Sequence, residues 1–316
     1  MNAAVVRSFD APPSYSTFDE PVAGEGEAIV NVSAAGLHRI VKSLANGSHY
    51  GSAGVLPFIP GVDGVGRLED GSRVYFGASR SPFGSFAERT VTSRAFSWPL
   101  PDGIDDATAA GIANPGMSSW AALKLRAHFA AGEKVMILGA TGVAGQLAIQ
   151  IAKRLGAQRV VAAGRNPLTL ERLKDLGADA VIPLHQTDHD LVSAFREEPC
   201  DVVLDYLWGR PAEILIEAIS QKGLQHASSR IRYVQVGSTA GARISFPAEA
   251  LRSSGLEMLG SGFGSVSIEH ILQAVSEFLA EAARAPFQFH VKAVPLRDVE
   301  SHWHSEEQGT RLVFQP

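Results

Sequence analysis

Three glycines at three-residue spacing, Gly139, Gly142 and Gly145, are the residues whose type and spacing point most directly to chemistry. They follow a short apolar run, Val135-Met136-Ile137-Leu138, and precede a helical pattern. A helix N-terminus leaves backbone N–H groups unpaired and carries partial positive charge, so it can hold a pyrophosphate. Glycine lets the phosphate approach because it has no side chain. Glycine-rich turns are common, and a purely structural turn is the alternative, but this context predicts a dinucleotide site.

A second residue with chemical meaning is Arg165, twenty residues after Gly145 in the run Gly164-Arg165-Asn166. Enzymes that use the non-phosphorylated cofactor usually place Asp or Glu near this position, to accept hydrogen bonds from ribose hydroxyls. No carboxylate stands here, and a guanidinium offers a charged, bidentate fork that suits a 2′-phosphate. Arg165 therefore favours NADP(H). The alternative is a solvated arginine at a strand end.

The elements that must position these residues form a βαβ unit over residues 134–166. The continuous hydrophobicity of its first run is typical of a strand buried on both faces. Gly156 ends the helix, and Val160-Val161 begins the second strand. The helix carries one apolar stripe at four-residue spacing: Val143, Leu147, Ile151 and Leu155. The glycines thus lie at the first strand-to-helix turn.

Strands and helices continue to alternate after this unit, which predicts an α/β fold with a doubly wound parallel sheet. The predicted strands are residues 180–182, 201–205, 233–236 and 256–259. The predicted helices are residues 168–176, 214–219 and 268–283. Residues 256–259 would form the last strand, and they contain no proline or lysine to protect an open edge. We therefore expect a homodimer in which a second copy of the chain covers this edge.

A β-rich lobe is predicted before residue 100, where short apolar runs such as 28–32 and 73–76 are separated by glycine and proline. Helical spacing begins at residues 107–125, interrupted at Asn114-Pro115-Gly116, and the tail after residue 286 favours strands again. The predicted domains are residues 1–113, completed by residues 266–316, and residues 114–265.

Composition sets further limits. The chain has 316 residues, enough for two lobes, and its 45% hydrophobic content is typical of a soluble globular protein. A formal net charge of −5 without a basic run argues against a nucleic-acid partner. No apolar stretch is long enough to cross a bilayer, and the N-terminal residues lack the order of a signal peptide. Cys200 is the only cysteine, so an internal disulfide is excluded. These features predict a cytoplasmic protein without a membrane partner.

Short motifs along the chain carry a resemblance to a known family. In chain order they are AAGL at 34–37, PFIPGVDGVG at 57–66, DGSRV at 70–74, GSFAE at 84–88, NPGMSSW at 114–120, GE at 132–133, the glycine turn, and LGAD at 176–179. Together they resemble the medium-chain dehydrogenase/reductase superfamily, and within it the zinc-free quinone oxidoreductase branch, over nearly the whole chain. The resemblance implies a GroES-like β-rich lobe beside a Rossmann lobe, with cofactor and substrate in the cleft.

Departures from the pattern bear on metal chemistry. Zinc alcohol dehydrogenases of this superfamily hold a catalytic metal with Cys, His and Cys, where this chain has His38, Val62 and Asn114. Valine and asparagine are not ordinary zinc ligands. The four-cysteine structural loop is also absent. A partial site from His38 and Asp63 is disfavoured because tetrahedral zinc needs more protein ligands. We therefore expect chemistry without a metal.

The resemblance implies hydride transfer from NADPH to a quinone or an α,β-unsaturated carbonyl compound. Negative charge would build on the acceptor oxygen, where hydrogen-bond donors lower the barrier. The candidate catalytic residues are His38, Tyr50, Asn114 and Ser118. His38 could also deliver a proton, because its unperturbed pKa is near neutrality. The alternatives are an interior histidine for His38, a loop aromatic for Tyr50 and a turn former for Asn114.

The family's cofactor contacts carry over onto four groups of residues. The pyrophosphate would lie against Ala140, Thr141, Gly142, Val143 and Ala144. The adenosine phosphate would lie against Gly164, Arg165 and Asn166. The ribose and nicotinamide would lie against Tyr206, Leu207, Gly237 and Ser238. The nicotinamide pocket would be completed by Gly260, Ser261 and Gly262.

A second class of function stays open. Proteins of this shape can bind NADPH mainly as a ligand, as sensors or as structural or regulatory proteins with little catalysis. The glycine turn does not separate the two classes, because a sensor needs it as well. Turnover of NADPH with quinones and enones does separate them.

Overall fold

The structure, a computed structural model, describes residues 1–49, 51–52, 55–220, 229–262, 264–305 and 309–316. The chain divides into two compact units. The first unit comprises Met1–Pro115 and Val275–Pro316, and the second comprises Gly116–Ala274. Among the described residues, no helix has the length and apolar character needed to span a membrane.

Strands occur in both units. They are β1 (Asn2–Val5), β2 (Ser14–Thr17), β3 (Glu27–Gly36), β4 (Asp63–Leu68), β5 (Arg73–Gly77), β6 (Arg89–Ser93), β7 (Ser97–Pro99), β8 (Lys134–Leu138), β9 (Arg159–Gly164), β10 (Ala180–Pro183), β11 (Val202–Asp205), β12 (Arg230–Gln235), β13 (Gly255–Gly260), β14 (His290–Pro295) and β15 (Thr310–Gln315).

Helices alternate with the strands in the second unit and are fewer in the first. They are α1 (Arg39–Ala45), α2 (Asp106–Ala121), α3 (Val143–Arg154), α4 (Pro167–Arg172), α5 (Asp188–Glu197), α6 (Gly209–Ile219), α7 (Ala250–Ser253), α8 (Ile268–Arg284) and α9 (Val299–His302). Short 3₁₀ turns lie at Arg94–Phe96 and Leu296–Asp298, and a π-helical turn lies at Ala122–Arg126.

The second unit is organised around a parallel sheet in the order β10-β9-β8-β11-β12-β13. Val135 to Leu138 in β8 are fully buried, as expected for a strand covered on both faces. Leu147 and Ile151 on α3 are also fully buried. The chain winds from β8 to one edge and from β11 to the other. The carboxyl ends of β8 and β11 therefore flank a topological switch point, where sheets of this kind bind ligands.

The first unit contains a mainly antiparallel sheet in the order β14-β15-β3-β4-β5-β7, with β6 paired to β3. The C-terminal strand β15 joins β3 through the pairs Val313–Gly36 and Phe314–Ala35. The Phe314 ring also packs against Phe86, with ring centroids 5.2 Å apart. The core of this unit is therefore assembled from both ends of the chain. The expected α/β fold, with a parallel sheet and a separate β-rich lobe, is confirmed.

Helix α2 corrects one expectation. It is continuous from Asp106 to Ala121 and contains Pro115, whereas an interruption at Asn114-Pro115-Gly116 is predicted from the sequence. Proline lacks an N–H, so the Gly111 carbonyl cannot receive its helical hydrogen bond from this residue. Apolar side chains on both sides of the proline are buried and hold the helix together: Ile112, Ala113, Trp120 and Ala121. Tertiary packing therefore overrides the local signal.

Helices α1 and α5 are not among the predicted helices, and α4 is shorter than predicted. Helix α5 begins after Thr187, whose Oγ1 accepts a hydrogen bond from the Asp190 N–H at 3.3 Å. Leu191 and Phe195 on this helix are buried. A hydroxyl cap followed by apolar residues at helical spacing is a recognisable helix start signal, so α5 could have been predicted from the sequence.

Candidate active site

The glycine turn after β8 has the geometry of a phosphate-binding turn. Gly139 adopts a φ of +87°, which favours glycine, and its N–H donates to the Ala163 carbonyl at 2.9 Å. A Cβ on Gly145 would lie 2.5 Å from the Cα of Ala140, so this glycine allows α3 to pack closely on the turn. A Cβ on Gly142 would meet only the Gly139 carbonyl oxygen, at 3.4 Å. The first glycine makes the turn, the third allows packing, and the second leaves room for a ligand.

This turn fits the pyrophosphate of a dinucleotide. Ala140, Thr141 and Gly142 lead into α3, and Val143 and Ala144 form its first turn. Gly142 is the N-cap residue and has no side chain to bond the first N–H groups of the helix. Those N–H groups can bind an anion instead.

The segment Gly164-Arg165-Asn166 follows β9, the neighbour of β8 in the sheet. A Cβ on Gly164 would lie 2.5 Å from Cγ2 of Thr141, so the two turns touch. Arg165 is exposed. Asn166 caps helix α4, where its Oδ1 accepts a hydrogen bond from the Thr169 N–H at 3.1 Å. Arg165 is therefore accessible to a phosphate, while the Asn166 side chain already has a structural role.

Asp205, at the end of β11, organises the turn on the other side of the switch point. Its side chain is fully buried, and Oδ1 accepts hydrogen bonds from the N–H groups of Leu207 at 2.7 Å and Trp208 at 2.9 Å. Oδ2 accepts from the Tyr233 hydroxyl at 2.8 Å. Burial raises the pKa of Asp205, and these donors partly oppose the rise. The bonds also hold Trp208 at a φ of +56°, an unfavourable conformation for a bulky residue.

Tyr206 lies in this turn and contacts helix α2. Its hydroxyl is 2.7 Å from Oγ of the buried Ser119, and it also hydrogen-bonds Ser118. Burial raises the pKa of Tyr206, so the hydroxyl stays protonated at neutral pH. The structure thus brings together two predicted site residues, Tyr206 and Ser118, through one hydroxyl network.

The remaining predicted cofactor residues follow β12 and β13 at the same edge of the sheet. The Gly237 N–H donates to the Asp205 carbonyl at 3.0 Å, and Ser238 comes next in the chain. The Ser261 N–H donates to the Gln235 carbonyl at 2.8 Å. A Cβ on Gly260 or Gly262 would meet no described atom within 4 Å. All five predicted segments therefore lie along the carboxyl edge of the parallel sheet.

The first unit contains a buried polar cluster, which consists of His38, Asp63, Tyr75 and Arg311. His38, Asp63 and Tyr75 are each less than 5% exposed. The Tyr75 hydroxyl donates to Oδ2 of Asp63 at 2.5 Å. Nε2 of His38 lies 3.1 Å from Oδ1 of Asp63, which is ion-pair distance. Burial lowers the pKa of His38, and the negative charge of Asp63 partly opposes this.

Arg311 completes the cluster from β15. Its guanidinium donates to the Leu37 carbonyl at 2.7 Å. Burial lowers its pKa to about 10, which leaves the side chain charged at neutral pH. Glycine makes room for the cluster, because a Cβ on Gly36 would lie 2.6 Å from Nε2 of His38 and 2.6 Å from the Ala110 carbonyl oxygen on α2.

The other predicted catalytic residues lie in different places. Asn114 is half-buried on α2 in the first unit, and Ser118 lies one helical turn later, in the second unit. Tyr50 lies outside the described residues.

Among the residues that the structure describes, the potential metal ligands are too few for a zinc site. No group of three or more His, Cys, Asp or Glu side chains capable of holding a metal occurs in the part of the chain that the structure describes. Of the residues at the zinc positions of the resembled dehydrogenases, only His38 is an ordinary zinc ligand. The donor set therefore does not fit a tetrahedral zinc site.

Sequence reasoning missed three residues of these sites, namely Asp205, Tyr75 and Arg311. Asp205 could have been found from the sequence, since a carboxylate directly after an apolar strand beside the switch point is well placed for a binding role. Arg311 interrupts an otherwise apolar strand pattern. Tyr75 had no signal, because tyrosine in a strand is most often a packing residue.

A parallel sheet in this strand order, with a glycine turn at the switch point, defines a dinucleotide-binding unit of the Rossmann type. Comparisons with known proteins narrow the class. The sequence pattern of the zinc-binding dehydrogenase family matches residues 143–281. A probable NADPH-dependent quinone reductase, tdiC of Emericella nidulans, is 28% identical over 100% of both chains.

Two further proteins that are similar to this chain are also named as oxidoreductases. The chloroplastic NADPH-dependent alkenal/one oxidoreductase of Arabidopsis thaliana is 30% identical over 51% of this chain and 46% of its own length. The quinone oxidoreductase of Thermus thermophilus, whose structure was also solved in complex with NADPH, is 26% identical over 100% of both chains, with a TM-score of 0.81. The chain belongs to the medium-chain dehydrogenase/reductase superfamily, in its quinone oxidoreductase-like branch.

Proposed function

We propose that this chain is an NADPH-dependent oxidoreductase that reduces a quinone or an α,β-unsaturated carbonyl compound without a metal. The observation that carries the proposal is the carboxyl edge of the parallel sheet, where the glycine turn, the exposed Arg165 and the open Gly260 and Gly262 lie at the ends of β8, β9 and β13. NADPH supplies the hydride when it is bound. The chain's own residues hold the cofactor, orient the acceptor and stabilise charge on it.

The residues divide this work as follows. The N–H groups at the start of α3 bind the pyrophosphate, and the Arg165 guanidinium binds the 2′-phosphate. Tyr206 and Leu207 flank the nicotinamide ribose in a turn that Asp205 holds rigid. Gly237, Ser238, Gly260, Ser261 and Gly262 complete the nicotinamide pocket. Residues 114–265 thus act as the cofactor domain, and residues 1–113 with 266–316 act as the substrate domain.

Hydrogen-bond donors stabilise the oxygen of the reduced acceptor. His38, Asn114 and Ser118 are the candidates among the described residues, and Tyr50 is a fourth. The Ser118 hydroxyl is oriented by its bond to Tyr206. A positioned donor of this kind contributes roughly 3–4 kcal/mol to stabilisation of the transition state.

Catalysis is favoured over the sensor alternative by the relatives. The proteins from Emericella nidulans and Arabidopsis thaliana are both named for NADPH-dependent reduction.

We further propose a homodimer in the cytoplasm. Strand β13 lies at the edge of its sheet, and Met258 and Leu259 on it are only half-buried. The same strand of a second copy would cover this edge. Met258→Pro should shift the dimer towards monomer in light scattering, because proline removes a ladder donor. A wild-type chain that is monomeric at micromolar concentration would contradict the dimer. The cytoplasm is supported by the single, buried Cys200.

The test of the function is turnover. Purified protein is mixed with NADPH or NADH and with a panel of benzoquinones, naphthoquinones, alkenals and cyclic enones, with saturated ketones as the control. We expect NADPH to be oxidised with at least one quinone or enone and not with the saturated ketones. Saturable NADPH binding without oxidation by any acceptor would favour the sensor instead.

A further inference from the structure

The turn that follows β11 (residues 206–209, the β11 turn) contains a residue in a strained backbone conformation. Trp208 has a φ of +56° and a ψ of −157°, a combination that is essentially confined to glycine. A conformation of this kind persists only where the surrounding structure enforces it, and such residues are concentrated at functional sites. Trp208 comes three residues after Asp205, which ends β11 at the carboxyl edge of the parallel sheet. Its conformation therefore points to a function for this turn.

The buried carboxylate of Asp205 enforces the strained conformation. Its Oδ1 accepts hydrogen bonds from the N–H groups of Leu207 at 2.7 Å and Trp208 at 2.9 Å, which fixes the path of two successive peptides. Its Oδ2 accepts from the Tyr233 hydroxyl at 2.8 Å, which fixes the orientation of the carboxylate itself. Both Asp205 and Tyr233 are fully buried. The strain at Trp208 is thus offset by hydrogen bonds to one side chain.

The turn that follows β12 (residues 236–241, the β12 turn) is built on the β11 turn. The Gly237 N–H donates to the carbonyl oxygen of Asp205 at 3.0 Å. A Cβ on Gly209 would lie 2.7 Å from the carbonyl oxygen of Ala240, so the two turns are in close backbone contact. A change in the conformation of the β11 turn would therefore displace the β12 turn as well.

These two turns carry the residues that we propose bind the nicotinamide and its ribose, namely Tyr206, Leu207, Gly237 and Ser238. A Cβ on Gly139 of the glycine turn would lie 3.0 Å from the Leu207 side chain, so the β11 turn lies beside the site proposed for the pyrophosphate. The groups proposed to bind the pyrophosphate and the adenosine phosphate follow β8 and β9 instead. The two halves of the cofactor are thus assigned to two different pairs of turns, and Asp205 is bonded to the pair assigned to the nicotinamide half.

The alternative is that the conformation of Trp208 serves only to pack its indole ring. The indole contacts the Tyr233 ring edge-on, with ring centroids 6.4 Å apart. An apolar residue in place of Asp205 would allow this contact too, and it would avoid the desolvation of a carboxylate, which costs free energy unless donors surround the group. The ring contact also does not explain why the β12 turn bonds to the peptides that Asp205 fixes. The arrangement is better explained by a need to hold both turns in place.

We propose, on the basis of the cofactor site proposed above, that Asp205 is a positioning residue for the nicotinamide half of NADPH. Asp205 acts through the β11 turn, which its carboxylate holds in the strained conformation, and through the β12 turn built on it. Hydride transfer depends on close alignment of the nicotinamide with the acceptor, so a fixed pair of turns favours the reaction. Weaker bonds to Asp205 should therefore reduce both the affinity for the nicotinamide half and kcat, while the adenosine half binds as before.

The first test compares the whole cofactor with one half of it. Isothermal titration calorimetry measures the affinities for NADPH and for adenosine 2′,5′-bisphosphate, a fragment that lacks the nicotinamide half. Asp205→Asn keeps the shape of the side chain but replaces the carboxylate by an amide, which is a weaker hydrogen-bond acceptor. We expect this variant to bind NADPH about tenfold more weakly and the fragment as the wild type does. Tyr233→Phe leaves both backbone bonds in place and should show the same pattern with a smaller loss.

Asp201→Asn is the matched control. Asp201 directly precedes β11 and accepts a hydrogen bond from the Lys134 N–H at 2.8 Å, so it is a second carboxylate that anchors backbone beside the same strand. It lies at the amino end of the strand, away from the two turns. Asp201→Asn should bind NADPH and the fragment as the wild type does, even where its melting temperature falls. Thermal melts show whether each variant is folded, and Tyr233→Phe keeps the comparison decisive if Asp205→Asn does not fold.

The second test asks whether the strained conformation links Asp205 to the cofactor. Glycine adopts the Trp208 conformation without steric strain, so Trp208→Gly should make the turn less dependent on Asp205. The loss of NADPH affinity caused by Asp205→Asn should therefore be smaller in a Trp208→Gly background than in the native chain. Equal losses in the two backgrounds would overturn the role given to the strained turn.

The outcomes separate this inference from the proposed function. Equal losses of affinity for NADPH and for the fragment in Asp205→Asn would overturn the inference, because they would indicate a general structural effect, and so would unchanged affinities for both. At saturating NADPH and acceptor, kcat should fall about tenfold or more in Asp205→Asn and stay unchanged in Asp201→Asn. An unchanged kcat in Asp205→Asn would overturn the effect on hydride transfer. A wild type that binds NADPH but oxidises it with no acceptor would overturn the proposed function, and the affinities would still decide this inference.

Discussion

The carboxyl edge of the parallel sheet and the buried polar cluster are built from different parts of the polypeptide. The edge is made mostly of backbone, and its key residues are glycines that admit a ligand or a neighbouring helix. The cluster is made of side chains from positions 38, 63, 75 and 311, which only the folded chain brings together. A site made of backbone should therefore be sensitive to added atoms, and a site made of side chains should be sensitive to removed ones.

The largest expected effect on stability comes from removing a buried carboxylate. Each region contains one such carboxylate, so the two losses of unfolding free energy can be compared. Asp205→Ala should lower the free energy of unfolding by roughly 3 kcal/mol or more, because three donors, among them the buried Tyr233 hydroxyl, lose their acceptor. Asp63→Ala should cost about 1–3 kcal/mol, because one donor, the Tyr75 hydroxyl, loses its acceptor. Chemical denaturation measures both, with the exposed Asp19→Ala as the control. A larger loss of unfolding free energy in Asp63→Ala than in Asp205→Ala would contradict this comparison.

The next effect concerns atoms added at the edge. Gly145→Ala should destabilise the fold by about 1–3 kcal/mol, because the new methyl group would meet the backbone of Ala140. Gly142→Ala should leave the melting temperature unchanged but weaken NADPH binding, because its methyl group occupies the space left for the phosphate. Thermal melts and a fluorescence titration with NADPH measure the pair. Equal melting temperatures for the two variants would contradict the separate roles given to these glycines.

Removal of the Arg165 side chain at the carboxyl edge should have a smaller effect, and one that is specific to NADPH. Arg165→Ala should weaken NADPH binding by about 1–3 kcal/mol, through loss of a charge-assisted bond to the 2′-phosphate. NADH binding should barely change. The exposed Arg172→Ala, on the neighbouring helix α4, serves as the control. If the affinities for both cofactors fell together, Arg165 would have no role in selecting between them.

No effect is expected from metal removal. The buried polar cluster offers His38 but too few further ligands for tetrahedral zinc. Prolonged treatment with a chelator should leave both the activity and the melting temperature unchanged. Elemental analysis of the purified protein provides the independent check. One zinc ion per chain would show that this region binds metal and would overturn the proposed metal-free reaction.

The contrast between the regions also explains what the sequence could predict. The glycine turn, β8, α3 and β9 were predictable because their signals are local and follow one another within about thirty residues. Continuity of α2 through Pro115 was not, because it depends on burial of Ile112 and Trp120 by distant parts of the chain. The environment of His38, which precedes α1, depends on residues from three strands, β4, β5 and β15. Residue spacing does not show which distant residues will contact one another, so only the resemblance to a family suggested His38 as a catalytic candidate.

The pairing of β15 with β3 has a consequence for how the protein is made. Leu37 and Arg311 are joined by a hydrogen bond although they lie 274 positions apart in the chain. A ribosome completes residues 116–274 before it reaches β14 and β15, so the second unit can fold while the first still lacks two strands of its sheet. During this interval the Ala35–Gly36 end of β3 lacks the partner that β15 will supply. We expect nascent chains stalled after residue 274 to yield a protease-resistant second unit and a protease-sensitive N-terminal segment.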